Sequence, residues 1–167
     1  MTATYAAPAE TSKLLKRALA KRFPATRFSV KLSRGTGYGN CSVGWTDGPS
    51  TKLVKEITRQ YEGSGFDGMT DSQFHIDNPL ADGRQTGLSM ISESRHISPR
   101  FARRLADAVA NFYGIEPPRI DDGPDGYWDI VAFDRNVAGT GEDWYTLIHR
   151  AGQDRESVLH RLELVTP

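Results

Sequence analysis

The stretch that most limits how this chain can fold is "CSVGWTDGPSTKLVKEI", from Cys41 to Ile57. Cys41, Val43 and Trp45 alternate with Ser42, Gly44 and Thr46, the period of a half-buried strand. Asp47-Gly48 supplies a turn. Pro49 and Ser50 then offer a fixed φ and a capping oxygen, as a helix start requires. Leu53, Val54, Ile57 and Tyr61 follow at helical spacing, so a helix is expected from Ser50 to Glu62, stopped by Gly63. "GFDGMTD", Gly65 to Asp71, repeats the Asp-Gly chemistry as a second corner, with Phe66 and Met69 expected to plug into the core.

The flanking segments set the fold class. A first helix is expected from Ser12 to Phe23, capped by Thr11 or Ser12 and ended by Pro24. Its stripe is Leu14, Leu15, Ala18, Leu19 and Phe23. Phe28, Val30 and Leu32 alternate through a strand from Arg27 to Ser33. That strand pairs with Asn40–Thr46 as an antiparallel hairpin across the glycine-rich loop "RGTGYGN". Residues 70–85 read as a loop or weak edge strand, and Gly87 to Ser94 as a strand. Ser98-Pro99 opens a helix carrying Phe101, Leu105, Val109 and Phe112, which Gly114 ends. "IEPPRIDDGPDG" reads as a loop, Tyr127 to Asp134 as a strand, and Glu142 to Arg150 as a helix with Trp144, Leu147 and Ile148 inward. The order α-β-β-α-β-α-β-α predicts an α+β fold: a mostly antiparallel sheet of about four strands with helices mainly on one face. Residues 1–10 are expected to be a disordered leader, 11–152 a single domain, and 153–167 a tail or short helix.

Charge is unevenly spread. The chain carries 21 Lys and Arg against 21 Asp and Glu. Yet Thr11 to Thr46 holds Lys13, Lys16, Arg17, Lys21, Arg22, Arg27, Lys31 and Arg34 and no acid. Such asymmetry suits an anionic partner, whereas the plain alternative is a solvated helix face. No apolar run approaches the roughly 20 residues that span a bilayer, and the first residues lack the pattern of a signal peptide. The single cysteine, Cys41, precludes an internal disulfide and makes the cytoplasm the expected compartment.

Catalytic chemistry has one candidate set. Asp67 and Asp71, spaced i, i+4, together with Asp47, are the carboxylates a metal-dependent nuclease would need around Mg²⁺. Against this, Asp-Gly corners use aspartate oxygens to bond turn amides. His75-Ile76-Asp77 lacks the further ligands a zinc site requires. Cys41, at an inward strand position, reads as a small hydrophobe. "RGTGYGN" lacks the Lys-Ser/Thr of a phosphate loop, but Tyr38 within it, near Arg34 in sequence, can stack on a base.

Taken in order, "LLKRALAKRFPATRFSVKLS", "CSVGWTDGPSTKLVKEI", "YEGSGFDGMTD" and "SMISESRHIS" resemble the large polyvalent protein-associated domain family, number 29 of its series, over residues of about 12 to 112. The resemblance implies a setting in phages, plasmids and integrative elements, with roles in counter-defence, DNA protection or host takeover. It carries over no catalytic residue. The chain departs from the family pattern at "ISES", where a cysteine or aromatic is usual near the end of the third strand. The expected function is that of a small non-enzymatic accessory protein of a phage or mobile element, without a cofactor. It would bind a host protein or nucleic acid through Lys13, Lys16, Arg17, Lys21, Arg22, Arg34 and Tyr38. The alternative is the nuclease built on Asp47, Asp67 and Asp71. Oligomeric state stays open.

Overall fold

The computed structural model describes residues 4–131 and 136–153. These fall into two compact units. The first runs up to Trp45 and resumes over Leu53–Ser94. The second takes Thr46–Lys52 and continues from Arg95. Each has its own apolar core.

The first unit is built around α1 (Pro8–Arg22), β1 (Ser29–Leu32) and β2 (Cys41–Thr46). α1 starts one turn before the expected Ser12. Pro8 supplies a helical φ and lacks an amide the first turn would leave unsatisfied, and Glu10 sits in that turn. Thr11 is therefore not a cap. It is buried, its hydroxyl donates to Ala7 O at 3.2 Å, and it accepts from Gly87 N. Upstream, Ala6 N donates to Gln85 O and Gln85 N to Thr4 O. This strap runs so close to Gly87 that a Cβ there would lie 2.0 Å from Ala6 O, which requires glycine.

β1 and β2 pair antiparallel in the register Val30↔Val43, as the alternation predicts. Cys41, Val43 and Trp45 are buried, whereas Ser42 and Thr46 are exposed. They join Leu15 and Leu19 of α1, Phe28 and Leu88 in one core. Val54 of α2 (Thr51–Thr58) and Ile91 of β5 (Ile91–His96) complete it. Trp45 is 4% exposed, with its ring 5.6 Å from that of Phe28.

β3 (Ser64–Asp67) and β4 (Ser72–His75) form a separate two-stranded sheet, and β1, β2 and β5 a three-stranded one in the order β1-β2-β5. The third strand was expected at Gly87–Ser94 but runs later. Thr86 to Ser89 instead bond side chains and neighbouring backbone: Thr86 Oγ1 donates to Tyr61 O, and Leu88 O accepts from Gly63 N.

In the second unit, Ser98 caps α3 (Pro99–Tyr113), its Oγ accepting from Phe101 N at 3.2 Å. Gly114 ends the helix with φ 66° in the left-handed region. α3 buries Phe101, Ala102, Leu105, Ala106 and Val109 against Trp144, Leu147 and Ile148 of α4 (Trp144–Gln153). α4 begins two residues later than predicted because Asp143 takes the capping position, its Oδ1 accepting from Thr146 N at 2.7 Å. The loop predicted before Tyr127 contains a short strand, β6 (Ile120–Asp122), paired antiparallel with β7 (Trp128–Ile130). The expected strand continued to Asp134, and residues 132–135 lie outside the described ones, as does the tail from 154. The fold is α+β, its strands distributed over sheets of three, two and two among the described residues.

Candidate functional site

The acidic corners come first, because the sequence left their role open. Asp47 has φ 54°, a left-handed conformation that aspartate tolerates better than most residues. Its carboxylate accepts from Ser98 N at 2.8 Å and from Ser98 Oγ at 2.7 Å. Ser98 Oγ in turn caps α3, so Asp47 acts one step behind the helix cap. Its amide donates to His96 O at 2.7 Å. Arg95 reaches the same corner, Nε donating to Asp47 O and Nη2 to Gly48 O, each at 2.7 Å. Burial of this guanidinium lowers its pKa to about 10, opposed by the nearby Asp47 charge. Both Asp47 oxygens are thus committed to structure.

Asp67 closes the β3–β4 hairpin. Oδ1 accepts from Met69 N and Oδ2 from Thr70 Oγ1, each at 2.9 Å. These bonds, the Met69 amide foremost, hold its carboxyl below the ordinary range. Asp71, at φ 50°, finishes the turn and is exposed. Phe66 and Met69 do not plug the core as expected; they are 56% and 97% exposed. The cause is the hairpin itself, a two-stranded sheet in which all four β4 residues are exposed. Within it, Phe74 lies across Gly65, where a Cβ would meet the ring at 2.3 Å. Among the described residues, no group of three or more His, Cys, Asp or Glu could hold a metal ion. Asp67 and Asp71 belong to the first unit and Asp47 to the second. His75 packs edge-on to Tyr5 at 6.2 Å. Cys41 is buried in the first core, and desolvation raises its thiol pKa.

The basic candidates are differently placed. At about 100° per residue, Lys13, Lys16, Arg17 and Lys21 occupy an arc of roughly 140° on α1, opposite buried Thr11, Leu15 and Leu19. All four are exposed and none makes an ion pair among the described residues. Glu10 shares the N-terminal end of that face, but its carboxylate is taken by Arg84 in bonds of 2.6 and 3.0 Å, which lower its pKa. Arg84 also binds Asp82. The acid nearest the cluster on α1 is therefore neutralised by a cation from outside it. Arg22 lies away from this arc, with its guanidinium 5.3 Å from the Phe23 ring centroid. Arg34 and Tyr38 bound a single helical turn in the β1–β2 loop, and Tyr38 is 63% exposed.

A second basic group lies in the second unit. Arg100 and Arg104, spaced i, i+4 on α3, line a cleft of about 240 Å³ with Asp47, Gly48 and Phe101. Sequence reasoning missed both. Their spacing beside Ser98-Pro99 was a usable signal, since the helix start fixes which face they occupy.

The comparisons with known proteins give one match. Residues 6–100 fit the family described as large polyvalent protein associated domain 29. No curated protein and no solved structure matches.

Proposed function

The chain belongs to the large polyvalent protein associated domain 29 family, matched over residues 6–100, and from that premise we propose a non-enzymatic accessory protein that binds an anionic partner through α1. The family points to a protein associated with a phage or mobile element. The reading extends this to a chain that binds a host nucleic acid or host protein in the cytoplasm and so serves counter-defence or host takeover.

One observation carries it: the exposed cation face of α1, which makes no ion pair among the described residues. Clustered cations repel one another, like charges at i, i+4 costing a helix a few tenths of a kcal/mol. Lys13–Arg17 and Arg17–Lys21 are such pairs, and the acid at the edge of their face is already taken by Arg84. A phosphate backbone relieves the repulsion and releases counterions. Nucleic acid is the favoured partner because Tyr38, with Arg34 beside its loop turn, adds an exposed ring suited to stacking on a base.

Titration of labelled DNA and RNA tests this. Binding is expected at about 50 mM salt, with log K falling linearly against log salt. Reversal of Lys16, Arg17 and Lys21 to Glu abolishes it while the fold persists. Absence of nucleic-acid binding, with loss of a host-protein partner on the same reversal, transfers the surface to protein recognition. A triple reversal that changes no measurable interaction refutes the proposal.

A further inference from the structure

We propose that the cleft lined by Arg100, Phe101, Arg104, Asp47 and Gly48 binds the phosphate group of a small phosphate monoester. This uses no α1 residue and stands apart from the reading above.

The cleft is small for a ligand site. Its volume of about 240 Å³ equals roughly eight waters at ~30 Å³ each, enough for a phosphoryl group and a few further heavy atoms. Whole drug-sized ligands occupy pockets of about 300–1,000 Å³. Its cations are unspent: Arg100 and Arg104 are exposed and make no ion pair among the described residues. By contrast, Arg103 on the same helix is bound to Asp122 and Arg119 to Asp121. Asp47, the sole acid in the lining, pairs with neither arginine among the described residues; its two oxygens accept from Ser98 N and Oγ.

The cleft is also pre-ordered. Phe101 is 9% exposed, and the guanidinium carbons of Arg95 and Arg104 lie 5.2 and 6.0 Å from its ring centroid. Arg95 is fixed by the carbonyls of Asp47 and Gly48, and Phe101 by the α3 core. The aromatic contact therefore restrains Arg104 before a ligand arrives, which lowers the entropy cost of binding. Guanidinium forks match phosphate oxygens in pairs, whereas a single carboxylate leaves half of such a two-arginine site unused.

Calorimetric titration of the full chain with inorganic phosphate and with a nucleoside monophosphate tests the site. Saturable one-to-one binding is expected. It should weaken by roughly tenfold or more in Arg100→Gln and in Arg104→Gln, and stay unchanged when Lys16, Arg17 and Lys21 are reversed. Equal affinity for the two probes means that only the phosphoryl group is read; tighter nucleotide binding means that the attached group is read as well. Near-UV circular dichroism checks the fold of each variant. If Arg104→Gln fails to fold, Arg104→Lys keeps the charge without the fork and is expected to weaken binding too. No saturable binding of either probe, or binding that survives both arginine substitutions unchanged, overturns the proposal.

Discussion

Replacing Asp47 tests the central structural claim, that this carboxylate positions the start of α3. Asp47→Ala removes two charge-assisted hydrogen bonds, to Ser98 N and Ser98 Oγ. Bonds to charged groups contribute about 1.5–3 kcal/mol each, and this half-buried site belongs at the low end, so about 3 kcal/mol is lost. Alanine must also adopt φ 54°, which costs about 1 kcal/mol more. Asp47→Gly escapes that backbone term and should lose about 2–3 kcal/mol. Asp47→Asn tolerates the left-handed region and keeps one acceptor, so about 1.5–2 kcal/mol is expected. The predicted order of damage is Ala, then Gly, then Asn. Urea denaturation followed by tryptophan emission measures it. In a Trp45→Phe background the remaining indoles, Trp128 and Trp144, both report the second unit. An alanine variant within about 0.5 kcal/mol of its parent, the range of ordinary surface changes, would refute the argument. An asparagine variant as damaged as the alanine one would refute it equally.

Three further outcomes are expected. Trp45→Ala should cost about 3–5 kcal/mol in the first unit, because a large buried ring is lost, and chemical denaturation measures it. His149 stacks on Trp128 at 5.5 Å, and burial depresses its pKa below 6.5. The unfolded chain therefore takes up this proton first, so stability is full above about pH 6.5 and declines as pH falls through the folded value; His149→Gln should flatten that decline in a pH series of melting curves. Cys41, buried with its thiol pKa raised, should react with a thiol reagent only as fast as the chain opens, and denaturant should accelerate the labelling.

What the sequence revealed followed the strength of its local chemistry. Ser98, Pro99 and Gly114 fixed both ends of α3 because capping and left-handed φ are decided by single residues. The strand holding Cys41, Val43 and Trp45 was legible because one of its faces is buried. α1 was placed a turn late, since Pro8 and Thr11 each suit two helix positions and only the strap over Gly87 decides between them. Phe66 and Met69 are exposed rather than buried because apolarity predicts burial only where something packs above, and among the described residues the β3–β4 hairpin leaves these two side chains largely uncovered. The Asp47–Ser98 contact was invisible for a different reason. No local pattern links a turn aspartate to a helix cap 51 residues away. The α1 cations were readable as charge, whereas the pairing of Glu10 with Arg84, 74 residues on, required the fold.

That separation of 51 residues also sets a clock. At roughly 5–20 residues per second of synthesis, Asp47 is added to the chain about 3–10 s before Ser98. During that interval the Asp47 carboxylate lacks the Ser98 donors it has in the folded chain. Nothing yet offsets the cost of a left-handed aspartate there, so the corner is free to sample other turns. The arrival of Ser98 then closes the helix cap and selects the turn in a single event. Translation rate, set by codons between these positions, therefore governs how long the nascent chain spends with this corner unlatched.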